Sequence, residues 1–124
     1  MISLTSCGEK ELTKYQSEFI LLFDTITRIV GYAETEEEFT GYSQIIHDNL
    51  KVYHQLYDIY NDYEGINNIK TINDNAGVKP VKADVKIIDL IKFSKELYVK
   101  TNGKTNIAYG AVLKIWHEYR TAGI

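Results

Sequence analysis

The side chains that could do chemistry are few: His47, His54 and His117, the serines Ser17, Ser43 and Ser94, a single cysteine, Cys7, and the acids Asp58, Asp62 and Glu64. A serine triad needs Ser, His and Asp to converge, and none of the three serines stands in a nucleophile-elbow context. His47 and His54 are seven residues apart on a predicted helix, hence on similar faces but two turns from each other. Metal pairs on a helix sit three or four apart, so these read as surface or boundary histidines. With no partner for Cys7, an internal disulfide and a structural zinc site are excluded. Asp58, Asn61, Asp62 and Glu64 before Gly65 look like a calcium loop at first sight. That loop needs oxygen ligands at positions one, three and five and glycine at six. Counted from Asp58, the third residue is Tyr60 and the sixth Tyr63, so the match fails. Neither a Gly-x-Gly-x-x-Gly fingerprint nor a P-loop is present.

The elements that must position these residues are legible from periodicity. Residues 14–33 read as a strand pair: Phe19, Leu21 and Phe23 alternate with Ile20 and Leu22, and Ile26, Ile29, Val30 and Tyr32 continue the β-rich composition. Asp24-Thr25, near the middle, marks either a bulge or a tight change of direction. Thr35 followed by Glu38 has the form of a capping box. From it a long helix is predicted over 36–57, its inner stripe formed by Phe39, Tyr42, Ile45, Ile46, Leu50, Tyr53, Leu56 and Tyr57. Residues 58–83 are rich in asparagine, tyrosine and glycine and read as a long loop, a kind that is often functional. Asp84 can cap a second helix over 85–101 with Val85, Ile88, Ile91 and Leu97 inward, closed by Asn102-Gly103. Asn106 to Gly110 reads as a short non-helical passage, and Ala111 to Tyr119 as a short third helix. This order implies an α+β (or α/β) domain. Two helices and one strand pair would leave a sheet face uncovered, so the domain is expected to be an incomplete part of a larger one.

Bulk properties narrow the classes further. A chain of 124 residues supports one modest core, and a net charge of -3 calls for neither nucleic acid nor an acidic membrane surface. Lysines gather between Lys79 and Lys104, but Asp84, Asp89 and Glu96 interleave with them, as on a solvated face. The 10 tyrosines are the compositional outlier; their flat rings with one polar tip suit a partly wet pocket or interface.

Four segments together resemble the ApbE-type FAD:protein FMN transferases, in the form found in Gram-positive lipoproteins. They are Phe23-Asp24-Thr25, where many relatives have Met-Gly-Thr; Tyr53 to Asn61; Gly65 to Gly77; and Thr101-Asn102-Gly103 leading to Asn106-Ile107-Ala108-Tyr109-Gly110 and Leu113-Lys114-Ile115-Trp116. The resemblance implies an enzyme that takes FAD, cleaves its pyrophosphate with Mg2+, and joins FMN by a phosphoester to a Thr or Ser of an acceptor flavoprotein. It further implies FAD contacts at Phe23, at Tyr60, and along Asn106, Ile107 and Ala108, with Tyr63 the alternative to Tyr60 if the loop register shifts. Phe23, Asp24 and Asn106 depart from the commoner Met, Gly and Asp at those positions.

Leu4-Thr5-Ser6-Cys7 has the form of a lipobox, an apolar residue and two small ones before a cysteine that becomes lipidated. The competing reading is a chance tetrapeptide beside an ordinary cysteine. With the resemblance, residues 1–13 are expected to be a lipobox remnant and tether, and 14–124 the amino-terminal part of the transferase domain. The protein is then expected to be extracytoplasmic and held at the cell membrane by lipid on Cys7. The family's Lys-Gly segment, its His-x-x-[Asp/Asn]-Pro segment and its late metal-binding Asp and Thr residues are expected beyond residue 124, with no metal ligands within the chain, which alone is expected to be inactive. The alternatives are a non-catalytic flavin-binding module and a surface lipoprotein that only holds a partner.

Overall fold

A computed structural model describes residues 11–123; Cys7 and the lipobox lie outside the described residues. The chain forms two compact units, the first ending at Gln55 and the second beginning at Leu56. The α+β class is as expected: the described residues form one two-stranded antiparallel sheet and four α-helices.

In the first unit, β1 (Thr13–Leu22) pairs with β2 (Thr25–Ala33), and α1 (Glu36–Tyr57) follows, its last two residues belonging to the second unit. The hairpin turns on two residues, Phe23 and Asp24, both left-handed at φ 55° and 53°. Such a turn matches the twist of the strands, and glycine, asparagine or aspartate usually fills it. Leu21, at φ 82°, is the extra residue where the register shifts between Ile20 and Leu22.

Alternation along β1 turns Tyr15, Ser17 and Phe19 inward and leaves Lys14, Gln16, Glu18 and Ile20 exposed. The inward set meets α1 rung by rung. The Tyr15 ring stacks on Phe39, centroids 5.6 Å apart. The hydroxyls of Ser17 and Ser43 are hydrogen-bonded. Phe19 meets His47 edge-on at 4.8 Å, and Phe23 meets His54 edge-on at 5.5 Å. Two strand residues advance about 6.8 Å and four helix residues about 6 Å, so the two ladders stay in step. Gly31 makes room for this packing: a Cβ there would come within 3.3 Å of the Phe39 ring.

That contact corrects the expected inner stripe of α1. Phe39 and Ser43 are buried and His47 and Leu50 half-buried, whereas Tyr42 (54%), Ile45 (60%) and Ile46 (41%) are exposed. The stripe counted apolar residues; the hairpin selected the face that a serine and two histidines share with its own rings. The helix start is as expected, with Thr35 Oγ1 accepting from the Glu38 amide at 3.2 Å. The Glu38 carboxylate reaches back one residue further than the capping box requires, to the Glu34 amide at 3.0 Å.

The second unit holds α2 (Ile69–Asp74), α3 (Val85–Lys100), a 3-10 turn (Ile107–Tyr109) and α4 (Gly110–Ala122). Three expectations change here. The 58–83 stretch contains α2 rather than being loop throughout. Residues 107–109, read as non-helical, form the 3-10 turn that opens α4. The inner face of α3 centres on the fully buried Ile87, with Leu90, Ile91, Ser94 and Leu97 half-buried, while Val85 (61%) and Ile88 (40%) face outward. Adjacent isoleucines at 87 and 88 left the helical phase ambiguous, and packing settled it. Asp84 caps α3 as expected, accepting from the Lys86 amide at 2.8 Å. At its other end Asn102 is left-handed at φ 50°, and the Gly103 and Asn102 amides return to the Tyr98 and Val99 carbonyls at 2.8 and 3.2 Å. This is a Schellman closure with asparagine in the position usually held by glycine.

Candidate functional site

The segment after α1 is organised around one carboxylate. Asp58 Oδ1 accepts from the Tyr60 amide at 2.7 Å and the Asn61 amide at 3.0 Å. Its Oδ2 accepts from Asn61 Nδ2 at 2.8 Å and from the Tyr63 hydroxyl at 2.7 Å. Partial burial pushes the Asp58 pKa up, but the Asn61 side chain, the Tyr60 amide, the Tyr63 hydroxyl and the Asn61 amide together outweigh it and hold it at about 2. Both oxygens are thereby committed to closing a turn.

Asn68 continues the network. It is fully buried; its Nδ2 donates to the Asn61 carbonyl at 2.8 Å, and its Oδ1 accepts from the Thr71 amide at 2.9 Å and the Thr71 hydroxyl at 3.0 Å. It is thus the N-cap of α2 and a tie back to the Asp58 turn. Asn67 donates to the Lys82 carbonyl and Asn75 to the Thr71 carbonyl, at 3.0 and 2.8 Å. The asparagines that read as loop punctuation are the fasteners of this segment.

Tyr60 is the ring this frame presents. It is 43% exposed and lies parallel to His117 of α4, centroids 4.2 Å apart and planes 20° apart. Arg120, one turn along α4, places Nη2 3.3 Å from His117 Nδ1. A guanidinium can only donate, so Nδ1 of His117 is the acceptor. His117 was missed as a partner because 57 positions (117 minus 60) separate it from Tyr60 and no local pattern links them; its i, i+3 relation to Arg120 was legible. Tyr63, the alternative ring, has its hydroxyl on Asp58.

Of the other residues implied by resemblance, Asn106 caps the 3-10 turn, accepting from the Ala108 amide at 2.8 Å, and Ile107 and Ala108 are exposed on that turn. All three belong to the second unit, with Tyr60; Phe23 belongs to the first, at the hairpin tip, 43% exposed. A shallow open hollow of about 430 Å³ beside α1, lined by Thr35, Glu37, Glu38, Gly41, Tyr42 and Ile45, contains none of them. Among the described residues no three His, Cys, Asp or Glu side chains come together as a metal site, and no helix is long and apolar enough to cross a membrane.

The sequence model of the ApbE family matches residues 23–123, and the chain belongs to that family. Membership suggests a flavin transferase, with a flavin substrate and, in general, a flavoprotein acceptor. Comparisons with curated proteins and with solved structures give no significant match.

Proposed function

We propose that this chain supplies flavin-nucleotide contacts in the transfer of FMN from FAD to a Thr or Ser hydroxyl of an acceptor flavoprotein. The observation that carries the proposal is the family match across residues 23–123. In this reaction the acceptor oxygen bonds to the FMN phosphorus, the pyrophosphate P–O bond to AMP breaks, and the hydroxyl proton is lost to a base. Tyr60 offers a ring face for stacking on a flavin or adenine base, with its hydroxyl at a wet rim. Asn106, Ile107 and Ala108 offer a short exposed turn against the nucleotide, and Phe23 an aromatic contact at the hairpin tip.

The described residues do not fit the Mg2+ that the FMN-transfer reading implies. No three His, Cys, Asp or Glu side chains cluster among them, and both oxygens of Asp58 are taken by the turn.

The test is to incubate the protein with FAD, Mg2+ and an acceptor domain bearing the target Thr, and to weigh the acceptor. One added FMN, absent when that Thr is Ala, supports transfer. With no Mg2+ site among the described residues, FAD binding without transfer is the result expected of this chain alone and supports its contact role; neither binding nor transfer points to a surface protein that holds a partner. We also propose residues 14–124 as part of the transferase domain and Cys7 as an extracytoplasmic lipid anchor at the cell membrane. One acyl chain holds a protein only marginally, so more than one is expected. Protein recovered from membranes should begin at a lipidated Cys7; an unmodified Cys7 in that fraction overturns the anchor.

A further inference from the structure

We propose that His54 is a positioning residue: in its neutral form it accepts the amide hydrogen of Phe23 and so fixes the tip of the hairpin. The Phe23 nitrogen lies 3.1 Å from His54 Nδ1. A backbone amide can only donate, so this nitrogen of the imidazole must be unprotonated, with the ring hydrogen on Nε2. Protonation at Nδ1 removes the only acceptor the ring offers there.

The tip needs such a tether. Phe23 and Asp24 are both left-handed without being glycine, and Leu21 beside them is as well. Aspartate tolerates this conformation, but Phe23 and Leu21 are strained in it, and strained backbone persists where its surroundings over-determine it. Two further restraints come from the same partner and the same packing: the Phe23 ring meets the His54 ring edge-on at 5.5 Å with planes 88° apart, and Leu22 beside it is buried at 6% exposure. His54 sits at the end of the ladder Tyr15–Phe39, Ser17–Ser43, Phe19–His47, and the turn would otherwise hang beyond the last rung. The charged and titratable neighbours to consider are Asp24 in the turn and, on α1, Lys51 and Tyr57 one turn before and after His54. His54 has other interactions too, so the Phe23 amide is the atom to watch.

The functional consequence rests on the reading of Phe23 as a flavin contact; the tether itself does not. In the intact protein, NMR should show the Phe23 amide shift moving with the same midpoint as the His54 imidazole signals. Above that midpoint the amide should be protected relative to its intrinsic, base-catalysed exchange rate, and in His54→Leu about 3- to 10-fold less so, the order expected for loss of one hydrogen bond. His54→Asn keeps an oxygen acceptor near the Nδ1 position but does not titrate, so its Phe23 amide should stay protected and lose the pH dependence. A Phe23 amide that is flat through the His54 titration, or equally protected in His54→Leu, overturns the proposal. FAD affinity should follow the same variants and the same midpoint. If the amide behaves as expected while Phe23→Ala leaves FAD affinity unchanged, the tether stands and the flavin role of Phe23 is what fails.

Discussion

The ring of Tyr60 lies parallel to the imidazole of His117, 4.2 Å between centroids and 20° between planes. One face of the tyrosine is therefore held by α4, and the residue is still 43% exposed. Stacking of a base on an aromatic ring is worth roughly 1–3 kcal/mol in nucleic-acid systems, about 5- to 150-fold in affinity. Tyr60→Ala should raise the FAD dissociation constant by a factor in that range, and Tyr60→Phe by much less. His117→Ala should have an intermediate effect through loss of ring orientation. Fluorescence titration with FAD checks all three; equal affinities would remove Tyr60 from the site.

Tyr63 should behave differently. Its hydroxyl donates to the Asp58 carboxylate, a charge-assisted bond worth about 1.5–3 kcal/mol. Tyr63→Phe should lower the denaturation midpoint while leaving FAD affinity per folded molecule unchanged. The reverse pattern would mean that the two tyrosines have exchanged roles.

The Asp58 turn should also make stability depend on acid. Its pKa falls from the ordinary 3.8 to about 2 on folding. The unfolded chain then binds a proton at higher pH than the folded one does. The stabilisation is complete above 3.8 and is lost as the pH falls from there through about 2. Allowing for solvent screening of a partly exposed group, its size is about 1 kcal/mol. Asp58→Asn should flatten the stability profile in this window and lower stability at neutral pH, because its amide nitrogen would face the donors Asn61 Nδ2 and Tyr63 Oη. Urea melts at stepped pH test this; an unchanged acid limb in the variant overturns it.

Ile87 and Asn68 are the fully buried anchors of the second unit. Ile87→Ala should cost about 2–5 kcal/mol through lost burial and a residual cavity. Asn68→Asp keeps the oxygen that caps α2 but loses the donor to the Asn61 carbonyl, and should cost about 1–3 kcal/mol. Asn68→Ala should cost more than Asn68→Asp. Equal losses in chemical denaturation would mean that the cap contributes nothing beyond the Asn61 tie.

Ser17 and Ser43 satisfy each other between hairpin and helix, and Ser43 is buried at 4% exposure. Either serine changed alone to Ala leaves a hydroxyl without its partner, at a cost of about 1 kcal/mol or more. The double variant should be more stable than the sum of the two single losses implies. A strictly additive cycle would show that the pair contributes no coupling.

The sequence by itself determined the elements whose signals are local. Thr35 and Glu38 announce the start of α1, Asp84 caps α3, and Asn102-Gly103 closes it; each works through hydrogen bonds spanning a few residues. The strand pair was legible in outline but not its tip: Leu21 breaks the alternation expected from Phe19 to Phe23, and Phe23 with Asp24, rather than Asp24-Thr25, makes the turn. The family, too, was legible from ordered motifs, which need no coordinates. Tertiary structure alone decided which faces are used. Ser43 and His47 turn inward because Ser17 and Phe19 wait there, and Ile87 rather than Ile88 points to the core. Tyr60 meets a histidine 57 positions away, and Phe23 hands its amide to His54. The physical reason is the same in each case. Helical phase and ring partners are set by whatever surface closes against them, and that surface is supplied by chain too distant for any periodicity to register.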